Sequence, residues 1–427
     1  MLPLPKLNIA IVAGARPNFV KIAPLLHAFA PRTDVSTTLI HTGQHYDKNL
    51  SDVFFEQLEI KRPEVSLGVG GGSHGQQTAK IIESIEPVLQ SGVDGNKFDR
   101  LIVVGDVNST MAAAVTAAKL HIPVSHVEAG LRSFDRQMPE EINRLITDAI
   151  SDQLLVSEPA GVENLKREGH SDESILLVGN LMIDTLLKLR PKAQATDVLS
   201  EHGLPVGGYG VVTLHRPSNV DQEDTLREIL MVLVEVSKGL PLAFPIHPRT
   251  ASRIESFGLQ SLLNDAAGIV KMPPIGYLEF LALTSSSKVI VTDSGGLQEE
   301  STALGIPCLT MRENTERPVT VTQGSSTLVG SDANELHRQL KLVLDDAYSK
   351  GSCPELWDGK AAERIVKAVA ARASCKLPTA ASSHLQSEAG FARIPFLFSE
   401  KRERGNYRPS AVSNCGLQIP CSCLRSW

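Results

Sequence analysis

Aromatic residues are scarce, cysteines are few, and no hydrophobic run is long enough to cross a membrane. Aromatics make up 4% of the 427 residues, and most of the six cysteines lie beyond residue 374. No apolar stretch approaches the roughly 20 residues that a membrane-spanning helix needs. The scarcity of cysteine excludes a disulfide-dense scaffold and favours a reducing, cytoplasmic setting. The Cys421-x-Cys423 spacing is not that of a structural zinc site, and we interpret the pair as thiols of a loose tail.

Basic charge is not in excess either. The chain has 42 Lys and Arg against 48 Asp and Glu, a net charge of −6. A mildly acidic chain argues against nucleic acid or an anionic membrane as partner. Hydrophobic residues at 42% and charged residues at 21% are typical of globular proteins, and the length predicts two or three domains. The opening segment has no basic region before its apolar stretch, so we interpret it as a first strand, not a signal peptide.

Short β-branched runs alternate with amphipathic segments along most of the chain. Most of the runs are continuously apolar, as expected of parallel strands that are buried on both faces. The predicted strands fall into two series: Ile9–Ala13, Thr38–His41, Leu101–Gly105, Val124–Glu128, Gln153–Ser157 and Ile175–Gly179, then Gly210–Leu214, Leu242–Ile246, Gly268–Met272, Lys288–Thr292 and Ile306–Thr310. Two such series predict an α/β protein with two Rossmann-like, doubly wound sheets facing a cleft.

The domain boundaries follow from breaks in this alternation. A charged helix and a Pro/Gly segment between Leu181 and Gly210 interrupt the pattern. We therefore predict an N-terminal domain over residues 1–180 and a C-terminal domain over 181–357. Residues 376–427 have little periodicity and are predicted to form a disordered or atypical tail.

Polar residues follow several strands of the first series, at the edge where open α/β sheets bind their ligands. Arg16 and Lys21 flank the helix start after the first strand, which fits either an anion site or a solvated surface loop. Asp106 ends the Leu101 strand, although a helix cap is the plainer explanation for this segment. Glu128 ends the next strand, and an acid that ends an apolar run needs a partner.

A helix start follows at Met138-Pro139-Glu140-Glu141, because proline suits the first turn of a helix. This places Glu140 close to the helix start. Glu140 and Arg144 are four residues apart, so an exposed ion pair between them is the plain alternative to a catalytic role for Glu140.

The second series also places polar residues after its strands. His215 and Arg216 follow the Gly210 strand, although a lone histidine there is more often structural. Ser294, Gly295 and Gly296 precede a helix whose amino terminus suits a phosphate, with Ser294 as a possible cap. Glu300, about one turn into that helix, is better placed for a ribose hydroxyl, and more cations, Arg317 among them, follow the next strand.

The run Gly70-Gly71-Gly72-Ser73-His74-Gly75 spells a dinucleotide fingerprint but lacks its context. That motif requires a firm preceding strand and an acid about 20 residues further on. Here the preceding strand is weak and Asp106 comes too late, so we predict no NAD site at this loop.

Eight ordered segments resemble the non-hydrolysing UDP-N-acetylglucosamine 2-epimerase family. They are GARPNFVK, TGQHYD, GDVNST, HVEAGLRS, PEEINR, TLHRPSN, DSGGLQEE and ERP, between residue 8 and about residue 372. The resemblance implies a fold of the GT-B type in which a last helix, at about 358–375, crosses back onto the first domain. It also implies a cytoplasmic isomerase of cell-surface polysaccharide biosynthesis, a UDP-sugar substrate and a homodimer, with no cofactor and no metal.

The family reaction interconverts UDP-GlcNAc and UDP-ManNAc by eliminating UDP to a glycal and adding it back. By resemblance, the catalytic candidates are Asp106, Glu128, Glu140 and His215, with the roles of base and acid left open. The residues expected to contact the UDP-sugar are Arg16, Lys21, Arg132, Arg216, Phe280, Ser294, Gly295, Gly296, Glu300 and Arg317. His215 could instead bind the diphosphate, and Phe280 is expected to pack against uracil.

Two departures from the family pattern bear on substrate and regulation. The motif H-R-x-E-N reads His215-Arg216-Pro217-Ser218-Asn219 here, so Ser218 replaces a carboxylate. Many bacterial members are activated by a second UDP-GlcNAc, bound partly through a Q-H-x-x segment. Gln44 and His45 match that segment, but Tyr46-Asp47 and the glycine-rich loop after it do not. We therefore predict weak or absent activation by substrate.

Other functions remain open at this stage. The substrate could be a related UDP-2-acetamido or 2,3-diacetamido sugar, because no motif fixes the groups at C3 and C6. A GT-B glycosyltransferase would share the cleft and the nucleotide site but would need an acceptor. A hydrolysing epimerase and a catalytically inactive sugar-nucleotide sensor are the remaining alternatives.

Overall fold

A computed structural model describes residues 6–43, 55–349 and 351–374. The predicted tail at 376–427, with Cys421 and Cys423, lies outside the described residues, as do Gln44, His45, Tyr46 and Asp47. The strands are β1 Leu7–Ala13, β2 Val35–His41, β3 Val65–Ser66, β4 Arg100–Val104, β5 Val124–Val127, β6 Gln153–Val156, β7 Ile175–Leu177, β8 Gly210–Thr213, β9 Leu242–Pro245, β10 Ile269–Met272, β11 Val289–Thr292, β12 Cys308–Thr310 and β13 Ser326–Leu328.

Helices separate almost all of these strands. They are α1 Arg16–Phe29, α2 His74–Ser91, α3 Asn108–Lys119, α4 Pro139–Ile150, α5 Pro159–Arg167, α6 Leu181–Gln194, α7 Val198–Glu201, α8 Pro217–Val220, α9 Glu223–Ser237, α10 Pro248–Ser256, α11 Gln260–Asn264, α12 Tyr277–Ser285, α13 Gly295–Leu304, α14 Val319–Thr322, α15 Ala333–Leu344 and α16 Ala361–Ser374.

Within the described residues, the strands form two separate parallel sheets. The first sheet has seven strands in the order β3-β2-β1-β4-β5-β6-β7, and the second has six in the order β10-β9-β8-β11-β12-β13. In each sheet the chain adds strands on one side of its first strand and then reverses to add the rest on the other side, as in a doubly wound fold. The reversal lies between β1 and β4 in the first sheet and between β8 and β11 in the second. We call β1–β7 with their connecting helices the first lobe and β8–β13 with theirs the second lobe. The predicted α/β architecture is confirmed.

The central strands are buried on both faces because their sequences are almost entirely apolar. Every residue of β4, Arg100 included, is buried, and so are the four residues of β11. All eleven predicted strands are present. The two that sequence patterns missed, β3 and β13, have only two and three residues and no long apolar run.

The helix α6 lies between the two sheets in the chain and packs against helices of both lobes. It contacts α1 of the first lobe and α12 and α13 of the second. Its N-cap is Asn180, whose side chain accepts a hydrogen bond from Met182 N at 2.9 Å. The domain boundary at residue 180 stays a prediction.

The last helix, α16, returns to the first lobe and packs on α1 and α6. Asp184 of α6 accepts hydrogen bonds from the backbone N–H groups of Ala361 and Ala362, at 3.1 and 2.8 Å. These bonds satisfy donors at the start of α16 that have no partner within the helix. Trp357, just before α16, donates from its ring nitrogen to the Ser157 carbonyl at 3.0 Å and so ties this segment to the end of β6.

Two absences apply to the described ranges only. None of their helices is long and apolar enough to span a membrane. They contain no group of three or more His, Cys, Asp or Glu residues arranged to hold a metal ion.

Candidate active site

The loops at the two chain reversals carry most of the candidate residues. In the first lobe these are the loops after β1 and β4, and in the second the loops after β8 and β11. Doubly wound sheets bind ligands at this position because adjacent loops diverge there and leave a crevice. Asn18 of α1 links the two first-lobe loops, since it donates to the Val104 carbonyl at 3.0 Å and accepts from Ala15 N at 3.0 Å.

A cavity of about 870 Å³ is lined by residues of both lobes. Such a volume lies within the range of small-molecule sites. Predicted site residues in the lining are Lys21, Asp106, Glu140, Arg216, Phe280, Ser294, Gly295, Gly296, Glu300 and Arg317. The cavity therefore combines carboxylates of the first lobe with a helix amino terminus and cations of the second.

Asp106 and Glu140 line the first-lobe side of the cavity, and only Asp106 of the two pairs with Arg144. The Arg144 guanidinium is buried and pairs with Asp106 Oδ2 and with Glu141 Oε2. The predicted alternative, an exposed Glu140–Arg144 pair, is wrong, because Glu141 one residue along the helix takes that place. No described residue forms an ion pair with Glu140, whose side chain remains partly exposed to the cavity.

Asp106 is not a helix cap. The N-cap of α3 is Val107, which makes no side-chain cap bond, and the Asp106 carboxylate lies against Arg144 instead. The Asp106 carbonyl also accepts from the Asn143 side chain at 2.8 Å. The helix α4 therefore holds Asp106 by its side chain and by its backbone.

Glu128 follows β5 directly and meets the partner that its burial requires. Its Oε2 lies 2.6 Å from Lys21 Nζ. Burial lowers the pKa of Lys21, but Glu128 together with Glu299 and Asp106 outweighs it, and the pKa is raised above its ordinary value. Lys21 lines the cavity, so Glu128 stands directly behind a cation of the site.

The backbone at Glu128 is left-handed, with φ of 68°. For a residue with a Cβ this conformation costs roughly 1–2 kcal/mol. Strain of this kind persists only where the surroundings hold it, and it concentrates at functional sites. The observation supports a functional role for Glu128 beyond its ion pair.

The second-lobe side of the cavity is built on the amino terminus of α13. Ser294 is at the N-cap position, but its hydroxyl makes no cap bond, so the sequence-based suggestion that it caps the helix is wrong. Its own N–H donates to the Thr292 hydroxyl at 3.0 Å. A Cβ at Gly295 would lie 3.0 Å from Glu316 Oε1, so a larger residue would crowd that carboxylate. The first turn of α13 thus presents backbone N–H groups to the cavity.

Arg317 is the cation nearest to this helix terminus and is held between two glutamates. Its Nε lies 2.8 Å from Glu299 Oε1, and its Nη1 pairs with Glu316. Glu316 also pairs with Arg312, 2.8 Å away. Burial would raise the pKa of Glu316, but the two arginines hold it well below its usual range. Sequence reasoning missed Glu299 and Glu316. An acid adjacent to an arginine, as Glu316 is, usually signals only a surface pair, and no local pattern shows that a distant arginine reaches Glu299.

His215 lies beside the main cavity, in a smaller one of about 250 Å³ that shares Phe280 and Ser294 with it. Its Nδ1 is 2.7 Å from Asp293 Oδ1. Asp293 Oδ2 accepts from the backbone N–H groups of His215 and Arg216, each at 2.8 Å. Burial would raise the pKa of Asp293, but these bonds lower it, so a carboxylate orients the ring. Asp293 precedes the recognisable Ser-Gly-Gly and was not singled out from sequence.

Glu300 faces the cavity beside Tyr277, whose hydroxyl donates to Glu300 Oε1 at 3.4 Å. Burial, with Glu299 as a neighbouring negative charge, raises the pKa of Glu300 to about 7. Arg216 lines the cavity as well, and burial together with Arg312 lowers its pKa.

Two predicted contacts are not placed at the cavity. Arg132 is buried in the first lobe, where its Nη2 lies 2.7 Å from Asp148 Oδ2 and 2.6 Å from Glu168 Oε2. It is absent from the cavity lining because these two acids fix its guanidinium inside the lobe. Arg16 begins α1, but its side chain lies outside the described part of the chain.

Glu158 is a buried acid behind the cavity that no sequence pattern indicated. It is 1% exposed, and neither carboxyl oxygen accepts a hydrogen bond of good geometry within the described residues. Burial raises the pKa of Glu158 from 4.5 to about 8, and the attraction of Arg317 only partly opposes this. The carboxyl group is therefore protonated in the folded protein at neutral pH.

This burial predicts a pH-dependent loss of stability. In the unfolded chain Glu158 ionises above about pH 4.5, whereas in the folded protein it stays protonated to about pH 8. Its contribution to the free energy of unfolding therefore falls between these values, by about 5 kcal/mol at most. Calorimetry from pH 5 to pH 8 should show Glu158→Gln gaining stability over the unsubstituted protein as the pH rises. Parallel stability curves for the two proteins would contradict this.

The fold and the cavity together define a two-domain α/β enzyme of the GT-B type. A family profile described as UDP-N-acetylglucosamine 2-epimerase matches residues 27–370. The UDP-N-acetylglucosamine 2-epimerase of Methanocaldococcus jannaschii is 39% identical over 366 residues, which are 84% of this chain and 98% of that protein. The chain belongs to the UDP-N-acetylglucosamine 2-epimerase family and is an isomerase.

Two further similarities bear on substrate and fold. The UDP-2,3-diacetamido-2,3-dideoxy-D-glucuronate 2-epimerase of Pseudomonas aeruginosa is 38% identical over 372 residues, 85% of this chain and 99% of that protein. A crystal structure of the M. jannaschii UDP-GlcNAc 2-epimerase in complex with UDP-GlcNAc and UDP has 39% identity and a TM-score of 0.77. The aligned residues make up 86% of this chain and 100% of the M. jannaschii chain. These comparisons confirm the predicted family.

Proposed function

We propose that the protein interconverts UDP-GlcNAc and UDP-ManNAc. A base removes the proton at C2 of the sugar while the C1–O bond to the diphosphate breaks, which gives a glycal and UDP. UDP then adds back at C1 as a proton is delivered to the opposite face of C2. The overall reaction inverts C2 and consumes no co-substrate.

One observation carries this proposal, namely that the carboxylates and the anion-binding groups line a single cavity. Asp106 and Glu140 are on its first-lobe side, and the start of α13 and Arg317 are on its second-lobe side. An elimination of this type needs proton transfer at one atom and charge stabilisation at its neighbour. A side chain that transfers a proton typically contributes about 10²–10⁴ in rate.

The second lobe would hold the diphosphate. The N–H groups at Gly295 and Gly296 and the Arg317 guanidinium can donate to its oxygens, and the helix dipole favours negative charge at this position. His215, oriented by Asp293, is placed to bind the diphosphate or to assist its departure. Phe280 lies at the junction of both cavities and is the proposed contact for uracil.

A related UDP-sugar is the second candidate for the substrate. The P. aeruginosa relative, named for a 2,3-diacetamido uronic acid, is nearly as similar to this chain as the M. jannaschii relative. Ser218, which replaces the carboxylate of the family motif, lies in α8 directly after Arg216 and Pro217 of the cavity lining. This local change is compatible with a different group on the sugar. Membership of a homodimer and weak activation by substrate stay predictions from the sequence.

A panel of UDP-sugars followed by NMR in heavy water tests the proposal. UDP-GlcNAc alone should give UDP-ManNAc, with deuterium entering at C2 of both sugars. Faster epimerisation of the 2,3-diacetamido uronic acid would favour the second candidate. Release of free ManNAc would indicate a hydrolysing enzyme, and turnover only with an added acceptor would indicate a glycosyltransferase. Binding without C2 exchange for any sugar would contradict the proposal.

A further inference from the structure

Asp148 is a buried acid in the first lobe, outside the cavity lining. It lies in α4, on the same side of the helix as Glu140 and Arg144, because the three residues are four apart in sequence. Its side chain is fully buried, yet its carboxylate is surrounded by donors. Burial would raise the pKa of Asp148, but His126 and Arg132 lower it, so the group is a carboxylate.

The Asp148 carboxylate contacts the chain on both sides of Glu128. Its Oδ1 is 2.6 Å from the Nδ1 atom of His126, and its Oδ2 accepts from the backbone N–H of Gly130 at 3.0 Å. Glu128 is midway between these two residues and has the left-handed backbone described above. Asp148 therefore fixes the segment whose strained conformation points the Glu128 carboxylate at Lys21.

The same carboxylate reaches the loop of Asp106 through His126. The Nε2 atom of the buried His126 ring is 2.9 Å from the Gly105 carbonyl oxygen. The carboxylate and the carbonyl are both hydrogen-bond acceptors, so each ring nitrogen of His126 faces an acceptor. Gly105, with φ of 72°, is the residue directly before Asp106. One ring thus connects Asp148 to the backbone that carries the second catalytic candidate.

We propose that Asp148 and His126 are a positioning pair that sets the geometry of Glu128 and Asp106 for proton transfer at C2. The inference deepens the proposed function and rests on it. Neither residue touches the cavity. Their effect is exerted by holding two backbone segments, and a displacement of about 1 Å at such a site can cost about 10²-fold in rate.

Asp148→Asn keeps the size of the side chain but cannot accept from both His126 and Gly130 with the same geometry. We expect kcat for C2 exchange to fall about 10- to 100-fold, with KM and the UDP dissociation constant within about threefold of their original values. His126→Gln leaves the contacts of Asp148 with Gly130 and Arg132 in place. It should likewise lower kcat and leave KM nearly unchanged. If Asp148→Asn does not fold, this second variant still tests the proposal.

A double-mutant cycle shows whether Asp148 acts through His126 or whether the two residues affect kcat independently. Residues that act as one unit are not additive, so Asp148→Asn combined with His126→Gln should lose little more kcat than the worse single variant. Asp184→Asn is the matched control, since Asp184 is also a buried acid that accepts from two backbone N–H groups. It should lower the melting temperature and leave kcat unchanged.

The possible results distinguish this inference from the function on which it rests. Folded Asp148 and His126 variants with the original kcat would overturn the positioning role. A loss of kcat in the Asp184→Asn control as large as that in Asp148→Asn would overturn it as well. Multiplied losses in the double variant would overturn the link through His126. Absence of C2 exchange in the unsubstituted protein would instead refute the proposed function itself.

Discussion

Replacing Glu140 with glutamine is expected to lower kcat for epimerisation by about 10²–10⁴, because an amide cannot exchange a proton with C2. Among the candidate acids, Glu140 is the one whose substitution disturbs the fewest other contacts. Asp106 pairs with Arg144 and Glu128 pairs with Lys21, so their amides would release a buried cation. Glu140 has no ion pair in the described residues, and UDP should bind Glu140→Gln within about threefold of its original affinity. The measurement is loss of deuterium from C2-labelled substrate, with calorimetric titration of UDP alongside.

Asp106→Asn and Glu128→Gln are expected to abolish the same exchange with UDP binding largely kept. Glu163→Gln, an exposed substitution on α5, is the control and should leave exchange unchanged. If all three amide variants exchange deuterium at the original rate, the assignment of proton transfer to these carboxylates is wrong.

Replacing Arg317 with lysine is expected to weaken UDP binding by about 10- to 100-fold. The guanidinium is held by Glu299 on one side and by Glu316 on another, with further N–H groups left for a diphosphate. A lysine has the charge but not the planar fork, so it cannot keep both glutamates and donate to two phosphate oxygens. Hydrogen bonds to charged groups contribute about 1.5–3 kcal/mol each, which gives the expected range.

Titration calorimetry with UDP measures this effect directly. Arg338→Lys is the matched control, because Arg338 also pairs with a glutamate but lies exposed on α15. It should leave the dissociation constant unchanged. UDP binding by Arg317→Lys at the original affinity would remove Arg317 from the diphosphate site.

The sequence predicted the sheets and most of the cavity, because both depend on local signals. Long β-branched runs identify buried parallel strands wherever they occur, and a strand end followed by a polar residue marks the ligand edge of the sheet. Lys21 and Asp106 were found in this way, whereas Glu140 was found at a helix start within a family motif. The structure places all three at one cavity. The strands β3 and β13 were missed because neither lies in a continuous apolar run, unlike the equally short β7 and β12.

Partners of buried charges could not be predicted, since they depend on tertiary contacts. Arg144 was assigned to Glu140 by helical spacing, but the turn of the helix and the Asp106 loop direct it elsewhere. Arg132 belongs to a family motif, and only the positions of Asp148 and Glu168 show that it is turned away from the cavity. Spacing along one helix cannot reveal an acid that arrives from another part of the chain.

The central claim is that the first lobe moves a proton at C2 while the second lobe retains the departing UDP. Positional isotope exchange tests it most directly, with UDP-GlcNAc that carries ¹⁸O in the bond between C1 and the β-phosphorus. Cleavage of the C1–O bond lets the β-phosphate rotate before UDP returns, so the label should appear in non-bridging oxygens while C2 exchanges with solvent. Epimerisation with the label fixed in the bridging position would contradict this account, in which the bond breaks and the β-phosphate rotates before UDP returns.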